Sequence, residues 1–364
     1  MSAVVPTPAA TAAAVAVNGA ALPIIEPMSP NQRAWARFKR NRIGYGALWV
    51  FVAMLVLATL AEVVSNDKPF VARIDGKLLF PVLSNPSEVA LGGDFHTPTD
   101  WKDPFITELL AKPGNWAVGT VNRHSATSID YFSKAAPPAA PSAKNWLGTD
   151  DKGRDMLARL LYGFRVSIWF ALALTLTGTL IGVVMGALMG YFGGKLDLTL
   201  QRLIEIWGAV PELYLLIIIA SIFAPSLWLL LVLLSLWGWI GLSDYVRAEF
   251  LRNRSLEFVK AARALGLTNG QIIRRHVLPN SLTPVITFLP FRMSAAILAL
   301  TSLDFLGLGV PPSVPSLGEL LKQGKDNLDA WWIIVPTFVL LSLSMLLLTF
   351  IGDALRDAFD TRKS

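Results

Sequence analysis

The chain has 364 residues, of which 53% are hydrophobic and only 16% charged. Soluble domains carry about 25% charged residues, so the deficit points to long apolar segments in a membrane protein. The formal net charge is +6 and cysteine is absent. The basic residues gather at the edges of apolar runs without an aromatic-basic stripe, which argues against nucleic acid, and the lack of cysteine excludes disulfides and thiolate metal sites.

Residues 1–30 are rich in Ala, Val and Pro. Pro6, Pro8, Pro23, Pro27 and Pro30 interrupt any apolar signal core, so a disordered cytoplasmic tail is expected. Arg33, Arg37, Lys39, Arg40 and Arg42 then precede the apolar run 44–64. That run has the length needed to cross the hydrocarbon core, and the basic arm before it (31–64 in all) places the N-terminus in the cytoplasm. Residues 65–147 are polar, with balanced charge, and form a periplasmic insert. Asp75-Gly76 predicts a small hairpin within it, and Pro137-Pro138-Ala-Ala-Pro141 reads as an extended linker.

At 148–165, Thr149 or Asp150 is placed to cap a helix whose apolar face is Leu157, Leu160 and Leu161. Arg154 and Arg159 lie on other sides, so a helix lying in the membrane interface is expected. Asp150, Asp151 and Asp155 lack the oxygen count of a calcium loop. His96, His124 and His276 are scattered, so no metal site is expected.

Five more apolar spans follow, at 166–191, 203–224, 226–243, 283–303 and 332–351, within a permease core of 166–352. The excess of Lys and Arg falls in the N-terminal arm and in the loop 244–280, on one side of this count together with the C-terminus at 353–364. The pattern is six spans with both termini cytoplasmic. Gly178, Gly182, Gly186 and Gly190 make a ridge for close helix approach, either within this chain or at a subunit seam. Pro211 and Pro290 predict kinks or local unwinding, which is tolerated at membrane depth where the backbone lines a cavity. A charge at mid-membrane costs about 2.5–3.5 kcal/mol on insertion scales, so Glu205, Glu212, Arg292 and Asp304 should face protein or water. Glu205 and Asp304 fall near span ends. Glu212, Arg292 and Asp304 are the translocation-path candidates, Glu212 and Arg292 the stronger two, or else a plain structural ion pair.

The loop 244–280 carries the most information. Phe258, Ala262 and Leu265 fall on one helical face, Gly266 is placed to end that helix in a left-handed turn, and Thr268 with Gln271 has capping-box spacing. Pro279 is expected to close the second helix. Lys260-Ala261-Ala262, Gly266 and Leu278-Pro279 resemble the cytoplasmic coupling loop of ABC-importer permeases, with Lys260 in place of that family's Glu and His276 in place of its Ile.

The resemblance extends through Gly148-Thr-Asp150, Gly153-Arg-Asp155, Tyr191-Phe-Gly-Gly194, Ser302-Leu-Asp-Phe-Leu-Gly-Leu-Gly309 and Asp357-Ala-Phe-Asp360 to the dipeptide/oligopeptide branch of that family. Leu300 stands where many of its members have Glu. The front end, with Ser29-Pro-Asn-Gln-Arg33 and Ser65-Asn-Asp-Lys-Pro69, is similar to the microcin C type of peptide permease.

This resemblance implies an all-α polytopic membrane protein with six transmembrane helices of the type I ABC-importer permease fold, with the periplasmic insert between helices 1 and 2. It implies a bacterial inner-membrane importer of peptides, including microcin C-like conjugates. It assigns ATPase coupling to Lys260, Ala261, Ala262, Gly266, His276, Leu278 and Pro279. The partners would be a second permease, an ABC ATPase (separate or fused) holding ATP and Mg, and a periplasmic peptide-binding protein, with no cofactor in this chain. No phosphate-binding Gly-rich loop ending in Gly-Lys-Ser/Thr is present, so this chain does not cradle ATP. A rival reading is a proton-coupled peptide transporter with Glu212 as carrier. An intramembrane enzyme lacks its catalytic motifs: His-Glu-x-x-His, Gly-x-Ser-x-Gly and cysteine are all missing.

Overall fold

A computed structural model describes residues 29–129 and 136–360. The expectation for the tail therefore lies outside the described residues, apart from its last two positions. The described part begins with α1 (Pro30–Arg40), opened by a capping box between Ser29 and Gln32. Among the described residues, five helices are long and apolar enough to cross a membrane, or six if one bent pair is a single span. These are α2 (Arg42–Thr59), α5 (Met156–Phe192), the bent pair α6 (Gly194–Gly208) and α7 (Glu212–Ile222), α8 with α9 (Leu227–Trp237 and Ile240–Asn253), α13 (Thr283–Phe305) and α15 (Trp331–Phe359).

The physical cause of the bend in the third span is Pro211. It sits as N-cap of α7 in extended backbone and cannot donate to the helix before it, so the two halves meet at 62°. Pro290 lies inside α13, which is assigned as one unbroken helix. Pro336 lies inside α15 in the same way.

Successive spans run in opposite directions, which gives the bundle two distinct ends. At one end sits the insert, where the Tyr162 hydroxyl of α5 donates to Ser65 O at 2.9 Å. At the other, Phe38 of α1 packs on Ala354 and Ala358 of α15, and Arg37 donates to Asp360 O at 3.0 Å. The loop 244–280 lies at this second end, with the N-terminal arm and the C-terminal helix.

The glycine ridge packs within the chain. A β-carbon on Gly182 would lie 2.9 Å from Trp239 O, on Gly186 2.5 Å from Ser243 O, and on Gly190 2.6 Å from Arg247 O. The α5 and α9 backbones are therefore in contact, run in the same direction, and leave no room for any side chain between them.

The structure departs in two places from the boundaries expected from the sequence. No separate interfacial helix occupies 148–165. Residues 148–155 are a loop, and α5 is one 37-residue helix capped by Asp155, whose carboxylate accepts from Ala158 N, so neither Thr149 nor Asp150 is the cap. The segment around Pro137–Pro141 is not a free linker in its described part: Ala139 N donates to the Thr149 hydroxyl at 2.8 Å, and Thr149 N donates back to Ala139 O at 2.9 Å.

The insert is also not all helical. Strands β1 (Val71–Ile74) and β2 (Lys77–Leu79) form the hairpin expected at Asp75-Gly76, both of which take positive φ as a tight two-residue turn requires. A further strand, β3 (Trp116–Val118), adds to β1 and completes an antiparallel sheet in the order β2-β1-β3. Helices α3 (Ala61–Val64) and α4 (Pro104–Ala111) belong to the same region, and Ile106 and Leu109 of α4 share a small core with Ile74.

Candidate coupling elbow and translocation cavity

The elbow is built on the ends of α5 and α9. After α9 ends at Asn253, the chain forms α10 (Glu257–Ala264), turns at Gly266, and continues as α11 (Asn269–Ile272), a π turn (Ile273–Val277) and α12 (Leu278–Ser281). Gly266 has φ +81° with open space around it, so the backbone conformation and not crowding calls for glycine. Thr268 and Gln271 form the capping box in both directions. Pro279 does not close the helix. It lies in the first turn of α12, where a missing N–H costs nothing, and α13 follows directly.

The buried face of the elbow is Val259, Ala262, Ile272 and Val277, in one cluster with Ala187 and Tyr191 of α5 and Val246 and Phe250 of α9. Of the predicted face Phe258, Ala262 and Leu265, only Ala262 is buried. Phe258 is 41% exposed and Leu265 80% exposed. The buried stripe runs one residue off the predicted one because Val259 turns inward.

Polar bonds fix the elbow to the spans. Arg254 donates to Tyr191 O at 3.0 Å, the Tyr191 hydroxyl donates to Asn269 Oδ1 at 2.9 Å, and Asn253 donates to the Ser281 hydroxyl at 2.8 Å. Arg247 of α9 makes a two-pronged bond to Asp197 of α6 at 2.6 and 2.8 Å. These bonds tie the elbow to α5 and α9, and α9 to α6. Of the residues assigned to coupling, Lys260, Ala261 and Pro279 are exposed, His276 and Leu278 are half-buried, and Ala262 is buried. Lys260 pairs with the exposed Glu257 at 2.8 Å, so a lysine here is satisfied locally.

Midway along the bundle, α5, α7, α8 and α13 surround a cavity of about 270 Å³ that both Glu212 and Arg292 line. Neither charge has the other as a partner, so the plain ion pair is not formed. Arg292 donates to Gly238 O at 2.8 Å, the carbonyl left free where α8 gives way to α9.

Asp304 does not line the cavity. Its carboxylate accepts from Val310 N at 2.8 Å and from the Ser316 hydroxyl, closing the loop between α13 and α14 (Leu317–Asp326). Leu300 is fully buried in the main apolar core. Glu205 is exposed and pairs with Arg202 on its own helix.

At the insert end, Arg159 is buried and donates to Glu319 of α14, while Arg154 donates to Asp150 Oδ2 at 2.6 Å and to Glu319 at 3.3 Å. Asn122 and Asn145 of the insert both donate to Asp155, at 2.8 and 2.9 Å. Glu319, Asn122 and Asn145 carry no signal in sequence. Their partners lie far along the chain, and only the tertiary fold reveals that Arg154 and Arg159 face inward.

Residues 182–364 match the model for the binding-protein-dependent transport system inner membrane component. That match covers half of the chain. The chain belongs to this family. Residues 29–81 of this inner membrane component also match the N-terminal transmembrane domain of oligopeptide transport permease C. It is 47% identical to the inner membrane ABC transporter permease protein YejE of Escherichia coli (strain K12), over 93% of this chain and 99% of that protein. It is 44% identical to the peptidoglycan transport system permease protein YejE of Agrobacterium fabrum, over 94% of this chain and 97% of that one. Identity to the dipeptide transport system permease protein DppC of Lactococcus lactis subsp. cremoris is 31%, over 92% and 91% of the two chains. Membership in a binding-protein-dependent family sets aside the proton-coupled alternative.

Proposed function

We propose that this inner membrane component is the permease subunit of an ATP-driven importer that carries peptides across the bacterial inner membrane. The observation that carries the reading is the elbow. Its inner face is continuous with the cores of α5 and α9, while Phe258, Leu265 and Leu256 point outward. A short helix pair bonded to the spans, with exposed apolar side chains among the charges of its free side, is suited to pass motion from a soluble motor to the membrane. The motor is an ABC ATPase holding ATP and Mg, and this chain performs no catalysis. The elbow end, with both termini, faces the cytoplasm, and the insert faces the periplasm, where it receives a peptide-binding protein.

A second permease completes the path. Only Leu216 of α7 is buried, while Tyr214 is 70% and Ile222 70% exposed. The half-span therefore leans out of the bundle beside the cavity, which supports a seam there. Peptides as substrate follow from the dipeptide, oligopeptide and peptidoglycan systems to which the matching proteins belong, and microcin C-like conjugates are a narrower case of the same class. The test is reconstitution with the cognate permease, ATPase and binding protein in proteoliposomes, followed by uptake of a labelled tripeptide. Uptake should require ATP and persist with an uncoupler. Uptake that survives ATP removal and collapses with the uncoupler would overturn the reading.

A further inference from the structure

The cavity between α5, α7, α8 and α13 holds polar groups that the protein itself does not satisfy. Arg292 Nε, Trp237 Nε1 and Thr175 Oγ1 are buried and have no hydrogen-bond partner among the described residues. All three side chains line the cavity. Two of these atoms, the guanidinium and indole N–H groups, can only donate. Buried donors without partners are rare in folded proteins and call for an explanation at the site. Both N–H groups are closed off from the open space as the side chains sit, and a carboxylate in the cavity would satisfy both once they turn into it, since a guanidinium N–H paired with a carboxylate is the strong form of this bond.

Glu212 supplies the opposite chemistry in the same space. Glu212 lines the cavity at the Pro211 bend, is half-buried, and has no ion-pair partner among the described residues. Thus one cavity presents an acceptor anion on α7 and a donor cation on α13, held apart. Two such charges in a membrane-spanning bundle are costly unless water or a ligand meets them. The volume of about 270 Å³ falls just under the usual size of small-molecule sites.

We propose that this cavity is a zwitterion subsite, in which Arg292 and Trp237 take a peptide's terminal carboxylate and Glu212 takes its terminal ammonium. This rests on the peptide-importer reading above.

The test uses the assembled, nucleotide-free transporter without binding protein and measures direct binding of dialanine, dialanine amide and N-acetyl-dialanine. The wild-type complex should bind dialanine about tenfold tighter than either blocked form, the size of one charged hydrogen bond. Arg292→Gln should erase the preference over the amide and keep the preference over the acetyl form. Glu212→Gln should do the reverse, and Arg292→Lys should retain part of the carboxylate preference. Recovery of intact complex by size-exclusion chromatography separates these effects from misfolding. Equal binding of all three peptides by the wild type, no binding of dialanine, or a uniform loss across all three in either variant would overturn the subsite and leave a water-filled cavity only. ATP-driven uptake that continues under those outcomes keeps the importer reading, whereas absence of ATP-driven uptake in the wild type removes that reading itself.

Discussion

Glu319 on α14 closes over the buried guanidinium of Arg159 on α5, and the same arginine donates to Ala126 O of the insert at 3.4 Å. One side chain thus joins the extramembrane insert, the start of the longest span and the helix that precedes the last span. Arg159 is fully buried while Glu319 is 16% exposed. Glu319→Ala leaves a buried cation without its main partner, which costs about 3–5 kcal/mol in comparable sites. The purified variant should unfold at a lower temperature than the wild type, with the insert becoming protease-sensitive first. The apolar double replacement Arg159→Met with Glu319→Leu should recover most of the loss.

The glycine ridge gives a prediction with opposite signs at two glycines. A β-carbon on Gly186 would sit 2.5 Å from Ser243 O and 2.7 Å from Val246 Cβ, whereas one on Gly46 of α2 meets nothing within 4 Å. Gly186→Ala should destabilise by about 1–3 kcal/mol through overpacking. Gly46→Ala should stabilise by about 0.5–1 kcal/mol through helix propensity. Thermal unfolding of the two variants in the same detergent compares them directly.

Gly266 separates backbone conformation from crowding. Its φ of +81° is the constraint, and the surrounding space is open. Asparagine tolerates the left-handed region, while a β-branched residue does not. Gly266→Asn should retain most ATP-driven uptake. Gly266→Val should insert and assemble yet lose uptake by at least tenfold. Uptake by the valine variant at the wild-type rate would remove the elbow from the coupling path.

The insert carries a pH-dependent contact. His124 is buried, and Lys102 Nζ donates to its Nδ1 at 2.8 Å, so the ring proton sits on Nε2 beside Lys144 O. Burial, and then the charge of Lys102, hold its pKa below 6.5, with Asp155 pulling weakly the other way. The unfolded insert therefore takes up a proton that the folded one refuses. The stability this site contributes is present above pH 6.5 and is lost as pH falls below that value. Hydrogen-exchange protection factors in residues 65–129, corrected for the intrinsic rate at each pH, should fall as pH drops from 6.5 to 5.5, and His124→Gln should flatten that dependence.

Features set by local chemistry were legible before the structure. The spans follow from apolar run length, the hairpin from Asp75-Gly76, the second elbow helix from the Thr268 and Gln271 pair, and the break in the third span from Pro211. Features set by distant partners were not. Arg159 reads as an interfacial charge until Glu319 meets it from 160 residues away. Asp304 reads as a charge at a span end until its bonds to Val310 and Ser316 show a loop clasp. The inward turn of Val259 in place of Phe258 depends on where α5 and α9 sit, which periodicity along one helix does not specify.

The proposed grip of an ATPase on the elbow from the cytoplasm is directly measurable because the chain has no native cysteine. Leu265→Cys places one thiol on the most exposed apolar position of the elbow, 80% exposed. In the assembled transporter this cysteine should crosslink to the ATPase subunit, with a yield that changes on adding ATP, and should resist an impermeant thiol reagent applied outside intact cells. Labelling from outside, with no ATPase adduct, would contradict the account.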